Sequence, residues 1–337
     1  MVDIISLEDK QTWNDRIRSM LFYDFYHLNE YHKLDTTGVP LLFYYEDSQV
    51  SIAFPFILRK ISGTEYNDIS SVYGYPGPVA STIDFLPANI QNFQNELSAF
   101  FDDNNVVSAF SRLHPLMPEQ SSLLKDMGLI KDLNLTVGVD LTLSQEIQKK
   151  NYARSLRTQI NHLNRIGVKT HKAETSKEID IFIDIYRENM TRLKASKEYF
   201  FSDEYFYSMM KNIDSFILLA HYKGEYIAGS LFTECNGILQ AHLNATRTDT
   251  LCLSPLKLVL DEGRKLGVND HMRCMHLGGG LNGKNDSLFT FKSRFSKTYF
   301  VFCIWKYIHN EPVYHELSSS KRENKREGLS FFPLYRA

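Results

Sequence analysis

SFILLAHYKGEYIAGSLFTECNGILQAHLNAT, residues 215–246, is the stretch on which the fold turns. It holds three runs rich in aliphatic, aromatic and β-branched side chains, interrupted at Lys223-Gly224 and Asn236-Gly237. Such dipeptides supply the backbone freedom that a tight reversal needs, so the stretch reads as three hairpin-linked strands. Toward the amino terminus, LLFYYEDSQVSIAFPFILRK at 41–60 repeats the signal, with a polar turn at Glu46-Asp47-Ser48. Helix-like segments precede and follow both stretches, which predicts a mixed α/β fold in which one unit occurs twice. The strand-like LTVGVDLTL (135–143) runs into a helix capped near Ser144, and this places the domain boundary between about residues 132 and 145.

A chain of 337 residues is long for one core, and 43% hydrophobic with 23% charged residues is an ordinary globular composition, so two domains are expected. With 23 Phe and 19 Tyr against 2 Trp, clefts lined by tyrosine are expected as well. The net charge of −2 gives no global field for DNA or an anionic membrane. No uninterrupted apolar run reaches the roughly 18 residues of a membrane span. The opening MVDIISLEDKQTWNDRIRSM is polar and acidic rather than signal-like, so a cytoplasmic protein is expected. Cys235, Cys252, Cys274 and Cys303 are widely spaced with no metal-ligand pattern, which predicts no metal and reduced, buried thiols.

Charge is concentrated locally. From Gln148 to Lys172 the chain carries Lys149, Lys150, Arg154, Arg157, Arg165, Lys169 and Lys172 without one carboxylate. Leu156, Ile160 and Leu163 recur at helical spacing, so a helix can dock on them while the arginines face outward, until Gly167 stops it. The arginine face is either a solvated surface or a phosphate-binding stripe; the absence of acids favours phosphate. The tail SSSKRENKREGLSFFPLYRA ends apolar, as a strand or plug that packs back onto the body would.

MHLGGGLNGKNDSLFTFKSRF (275–295) is the sharpest local feature. Gly278, Gly283 and Lys284 fit a phosphate-binding GxxxxGK loop, but Asn285 stands where a magnesium-binding hydroxyl belongs. Gly278, Gly280 and Gly283 fit GxGxxG, but no βαβ unit can follow so late in the chain. The remaining alternatives are a turn that needs positive φ and a backbone-lined turn beside a substrate, formed by Gly278, Gly279 and Gly280 next to His276 and Lys292.

HLGGG (276–280) followed by DSLFTFKSRF (286–295) resembles the signature of the Fem-like group, the peptidoglycan bridge-forming aminoacyltransferases and related acetyltransferase-fold (GNAT) proteins. YGYPGP (73–78), RLHPL (112–116), ARSLRTQINHLNRIG (153–167) and YRENMTRLKASKEYF (186–200) resemble further blocks of that group in the same order. The resemblance implies two tandem GNAT-like domains with a cleft between them, residues 1–138 and 139–309, with a tail from about 310 to 337 packing back on the first. It implies a donor that is acyl-CoA or aminoacyl-tRNA, and an acceptor that is a small-molecule or lipid-linked glycan or peptide precursor of the cell envelope. By motif, Lys292 matches a lysine near the reacting centre, and Arg192 an arginine that binds acceptor phosphates, with Tyr199 beside it. His242 stands where an aromatic cleft residue is expected, and the helical arm of some bridge-forming enzymes is missing; both differences point to another acceptor or to a thioester donor.

Acyl transfer needs an unprotonated nucleophile, a polarised carbonyl and a proton for the leaving group. Lys292 can stabilise the oxyanion, Tyr75 can protonate the departing group, and His242 or His276 can act as base, unless each imidazole is a satisfied core residue. Asp286 reads as a helix cap. Arg154, Arg157 and Arg247 are candidate phosphate ligands, Arg247 being equally a surface charge. Cysteine or serine intermediates lack a partner base or elbow, so direct transfer is expected. A bridge-forming transferase proper and a non-catalytic nucleotide-sugar binding protein remain alternatives, as does a homodimer.

Overall fold

In chain order the protein begins with β1 (Val2–Ser6), α1 (Lys10–Arg18), α2 (Asn29–His32), β2 (Val39–Glu46), β3 (Ser51–Lys60), β4 (Asn67–Ser70) and β5 (Val79–Ala80). α3 (Pro87–Asp103), β6 (Val106–Arg112), α4 (Glu119–Leu123), β7 (Leu129–Asp140), α5 (Gln145–Asn151), α6 (Arg154–Arg165) and β8 (Lys169–Lys172) follow. Then come α7 (Ser176–Arg192), α8 (Asp203–Asn212), β9 (Ser215–Tyr222), β10 (Glu225–Cys235), β11 (Ile238–Thr246), α9 (Leu256–Asn269) and β12 (Cys274–Gly279). α10 (Ser287–Lys292), β13 (Thr298–Ile308) and α11 (Glu311–Ser318) complete the list. This computed structural model describes residues 1–281, 286–319 and 331–337. Residues 1–133 with 301–337 form one unit and residues 134–300 the other.

The hairpins arise where the sequence places them. Lys223 (φ 51°) and Gly224 (φ 92°), like Asn236 (φ 41°) and Gly237 (φ 75°), both take positive φ, the backbone of the turns that match strand twist. β9, β10 and β11 therefore pair antiparallel in sequence. In the earlier hairpin the Asp47 carboxylate accepts from the N–H groups of Gln49 (2.8 Å) and Val50 (2.9 Å), closing the turn between β2 and β3.

One ground plan occurs twice. In the first unit β1, β2, β3 and β4 pair antiparallel in succession, and β4 then pairs parallel with β6 across α3. In the second, β8, β9, β10 and β11 do the same, and β11 pairs parallel with β12 across α9. In each unit the last strand of the repeat takes a partner from outside it: β13 pairs antiparallel with β6, and β7 with β12.

Each unit has its own core. Phe43, Phe54, Phe56, Phe93, Phe101 and Trp305 are buried together in the first, and Val139, Leu156, Phe232, Leu239, Met275 and Leu277 in the second. The basic segment is two helices rather than one. Tyr152 buries its ring and is extended, and Ala153 N–H donates to the Arg294 carbonyl (2.8 Å), so the chain breaks between α5 and α6. α6 docks on Leu156, Ile160 and Leu163 with Arg154, Arg157 and Arg165 exposed, and Gly167 takes φ 90° just after it.

The described end of the tail is a plug, not a strand. Phe332, Leu334 and Tyr335 pack with Ile61, Val107 and Tyr314, Tyr335 Oη pairs with Ser108 Oγ at 2.8 Å, and Arg336 bonds buried Asp68. Cys252 is exposed and Cys235, Cys274 and Cys303 are half-buried, so the expectation of fully buried thiols is corrected. Among the described residues no disulfide forms, no His, Cys, Asp and Glu cluster could hold a metal, and no helix is long and apolar enough to cross a membrane.

Candidate functional site

The parallel pair in the second unit is short. β11 and β12 match at Ile238–Cys274, Leu239–Met275 and Gln240–His276, although β11 continues to Thr246 and β12 to Gly279. Each strand carries an extra residue just past the last matched pair. His242 is the residue left over where β11 shifts register against β10, and Leu277 where β12 shifts against β7. Such bulges bend and twist a strand, and two at one level turn the strands apart. The result is a wedge.

Ala241 and Asn244 of β11, Leu277 of β12, Leu260 of α9, and Phe291 and Lys292 of α10 line a cavity of about 20 Å³ at its apex, room for about one water. Asn244 is fixed, accepting from Ser230 Oγ at 2.9 Å and donating to the Ala241 carbonyl at 3.2 Å. Lys292 ends α10 and donates from Nζ to the Gly279 carbonyl at 2.7 Å. Burial of its ammonium lowers its pKa to about 8, partly opposed by the Asp286 charge. A lysine with such a pKa is an ammonium at neutral pH that can lose a proton within the working range. Asp286 caps α10 by accepting from Phe289 N–H (2.8 Å) and also accepts from Leu281 N–H (2.6 Å), the capping role the sequence predicts.

The glycines serve packing. Gly278 takes φ 72°, a conformation that disfavours any side chain. A Cβ on Gly279 would lie 2.8 Å from both the Asn134 amide and the Leu135 carbonyl, so β7 occupies the space a side chain would need. The Gly280 carbonyl accepts from Asn134 Nδ2 at 3.4 Å. The nucleotide-loop residues Gly283, Lys284 and Asn285 lie outside the described residues, and the six-residue α10 that follows is no long phosphate-binding helix.

Beside the wedge an open groove of about 570 Å³ is lined by Arg154, Ser155, Thr158, Gln159 and Arg294. The two regions share their walls: Leu256 lines the wedge while its neighbour Lys257 bonds Gln159 in the groove, and Arg294 is two residues past Lys292.

The histidines fall on the other face of the sheet. Met275 and Leu277 join the core cluster on the α9 side, so His276 between them points away, to Gln240 Oε1 at 2.8 Å. His242 Nε2 meets the Tyr205 hydroxyl of α8 at 2.6 Å, with the rings stacked, and burial pulls its pKa down to about 3. An imidazole with that pKa is a weak base at neutral pH. His276 is completely buried.

Tyr75 belongs to the first unit, half-buried among Tyr26 (5.5 Å between ring centroids), His114 (5.6 Å) and Phe302 (5.2 Å). Arg192 ends α7 and bonds Asn189 Oδ1, while its buried Nε has no partner among the described residues. Tyr199 is half-buried, and its carbonyl accepts from the Tyr186 hydroxyl at 2.8 Å. Arg247 bonds Glu188 at 2.9 Å and the Tyr226 carbonyl at 3.3 Å. Sequence reasoning missed Asn244, Lys257 and Arg294. Asn244 was within reach, being two residues past His242 in a stretch already read, whereas no local signal joins Lys257 to Gln159.

No protein-family model matches the sequence, and no curated protein sequence matches it. Solved structures do match in fold. The crystal structure of FemX is similar with a TM-score of 0.72 at 10% identity, covering 93% of this chain and 99% of that one. L-PGS from Bacillus licheniformis is similar at 0.58 and 14% identity, covering 90% and 94%. A tandem GNAT protein from the clavulanic acid biosynthesis pathway is similar at 0.50 and 6% identity, covering 91% and 98%.

Proposed function

The chain has the tandem GNAT fold seen in Fem-like proteins, and from that premise we propose that it is an acyltransferase that moves an acyl or aminoacyl group from acyl-CoA or aminoacyl-tRNA to a cell-envelope precursor. The observation that carries this reading is Lys292, an ammonium with a pKa lowered to about 8 at the apex of an apolar wedge between two diverging parallel strands. An amine or hydroxyl of the acceptor attacks the donor carbonyl carbon. The new C–N or C–O bond forms, the carbonyl oxygen takes negative charge, and collapse breaks the C–S or C–O bond to the carrier. The acceptor's proton ends on the carrier's sulfur or oxygen, so no covalent enzyme intermediate is needed. Lys292 stabilises the oxyanion as a cation, and low-polarity walls of Leu260, Leu277 and Phe291 strengthen that interaction relative to water.

Arg192, with Tyr199 nearby in sequence, is assigned to the acceptor's phosphates, because its buried Nε still has a donor to give. Calorimetric titration with acetyl-CoA, charged tRNA and uncharged tRNA, followed by a transfer assay with UDP-linked precursors, tests the function. Saturable binding of a charged donor with transfer supports it; a protein that binds only UDP-sugars and transfers nothing is the non-catalytic binding protein instead.

A further inference from the structure

We infer that Asp261 of α9 and the Tyr152 hydroxyl are the positioning pair of the reacting centre, holding the turn that follows α10, and with it Lys292, against the wedge. Asp261 is 3% exposed. Its Oδ1 accepts from the Tyr152 hydroxyl at 2.9 Å and from Arg264 Nε at 3.2 Å, and its Oδ2 lies 3.4 Å from Lys265 Nζ. Arg264, completely buried, donates from Nη1 to Gln148 Oε1 at 2.8 Å, and Gln148 Nε2 donates to the Leu143 carbonyl at 2.7 Å. The network ties together the segment after β7, α5, the junction between α5 and α6, and α9. A buried ion pair is weak ground for stability, since apolar side chains of the same volume often do as well. What this one supplies is a single placement for the Tyr152 ring.

From that ring the path to Lys292 is short. The Tyr152 ring meets Phe295 edge-on with 5.5 Å between centroids, and Phe295 meets Phe291 at 5.8 Å. Ala153 N–H donates to the Arg294 carbonyl at 2.8 Å, and Phe295 N–H donates to the Lys292 carbonyl at 3.0 Å. The junction therefore grips the turn by a side chain and by the backbone, while Lys292 Nζ is fixed at its far end by the Gly279 carbonyl. Asp286 is the charge that acts on Lys292, and no side chain lining the wedge from β11, β12 or α9 ionises. How deeply the turn seats the ammonium thus sets its pKa of about 8. For what the lysine does, the inference rests on the acyl-transfer reading; for where the lysine sits, it does not.

The experiment follows the Nζ resonance of Lys292 with pH in the full chain carrying isotope-labelled lysine, assigned by its loss in Lys292→Arg. Wild type, Tyr152→Phe and His114→Ala are compared, each checked by its melting curve. Tyr152→Phe keeps the ring and leaves Asp261 paired with Arg264 and Lys265. If it melts early, Phe295→Leu breaks the same contact from the turn's side. In Tyr152→Phe the midpoint should rise by about one pH unit toward the ordinary lysine value of about 10.4, because water reaches a loosened ammonium. Transfer should slow about tenfold with donor KM within about twofold, and its high-pH fall should move with the midpoint. His114→Ala disturbs the buried pair of the first unit and should lower the melting temperature without moving the midpoint. A midpoint in Tyr152→Phe equal to that of wild type overturns the positioning pair, whatever stability is lost. A midpoint that moves while wild type transfers no acyl group from any donor keeps the pair and overturns the acyltransferase reading.

Discussion

The two repeats share an order of strands and helices, yet the ends of their parallel pairs are finished differently. In the second unit β11 and β12 part at paired bulges, and the gap holds a small cavity with one lysine. In the first unit the chain past β4 and β6 is filled in. Tyr75 and His114 follow those strands, Tyr26 packs against both, and His114 Nε2 meets buried Asp24 at 3.0 Å. A Cβ on Gly74 would sit 2.0 Å from the Tyr26 ring, so the filling is tight. Duplication gave two frameworks, and a reacting centre needs one that stays open, because an aromatic plug leaves no path for a substrate carbonyl.

That contrast can be broken from either side. His114→Ala should destabilise the first unit by about 3 kcal/mol or more in urea unfolding, since it strands a buried Asp24 carboxylate, while turnover per folded molecule is unchanged. A variant that folds normally but loses turnover would move chemistry into the first unit. On the open side, wild-type turnover should fall as pH rises through about 8, where Lys292 loses its proton, by about tenfold per pH unit beyond it. Lys292→Arg stays protonated, so a pH–rate profile of that variant should lack this limb whatever its absolute rate. Rates that rise through pH 8 in wild type would make Lys292 a base instead.

Smaller effects sharpen the picture of the closed face. His242→Gln removes the contact with the Tyr205 hydroxyl and should cost about 1–2 kcal/mol in thermal unfolding, without a change in the rate per folded molecule. Arg247→Gln gives up a pair with Glu188 that is about one-third exposed on both sides, so less than about 1 kcal/mol of stability and no acceptor affinity should be lost. A tenfold weaker acceptor in that variant would place Arg247 in the acceptor site.

Much of this was legible in the sequence, for physical reasons. Lys223-Gly224 and Asn236-Gly237 announce turns because few residues accept positive φ, and the Leu156, Ile160 and Leu163 spacing announces a docked helix. Lys292 was found through motif resemblance. The histidines were left with two readings because identity does not reveal burial: Leu239 and Ala241 face the α9-side core, so His242, the bulged residue next to Ala241, faces away from it. Lys257 and Arg294 escaped notice because tertiary packing alone brings them near Gln159, and the Gln159–Lys257 bond spans a sequence separation of 98.

The most direct test of the open wedge as reacting centre is single-turnover transfer by Lys292→Ala, with donor affinity measured in parallel. Removing an oxyanion-stabilising cation should slow transfer by about 10²- to 10³-fold with the melting curve intact and the donor bound nearly as well as by wild type. Transfer at the wild-type rate from a folded Lys292→Ala protein would contradict the account.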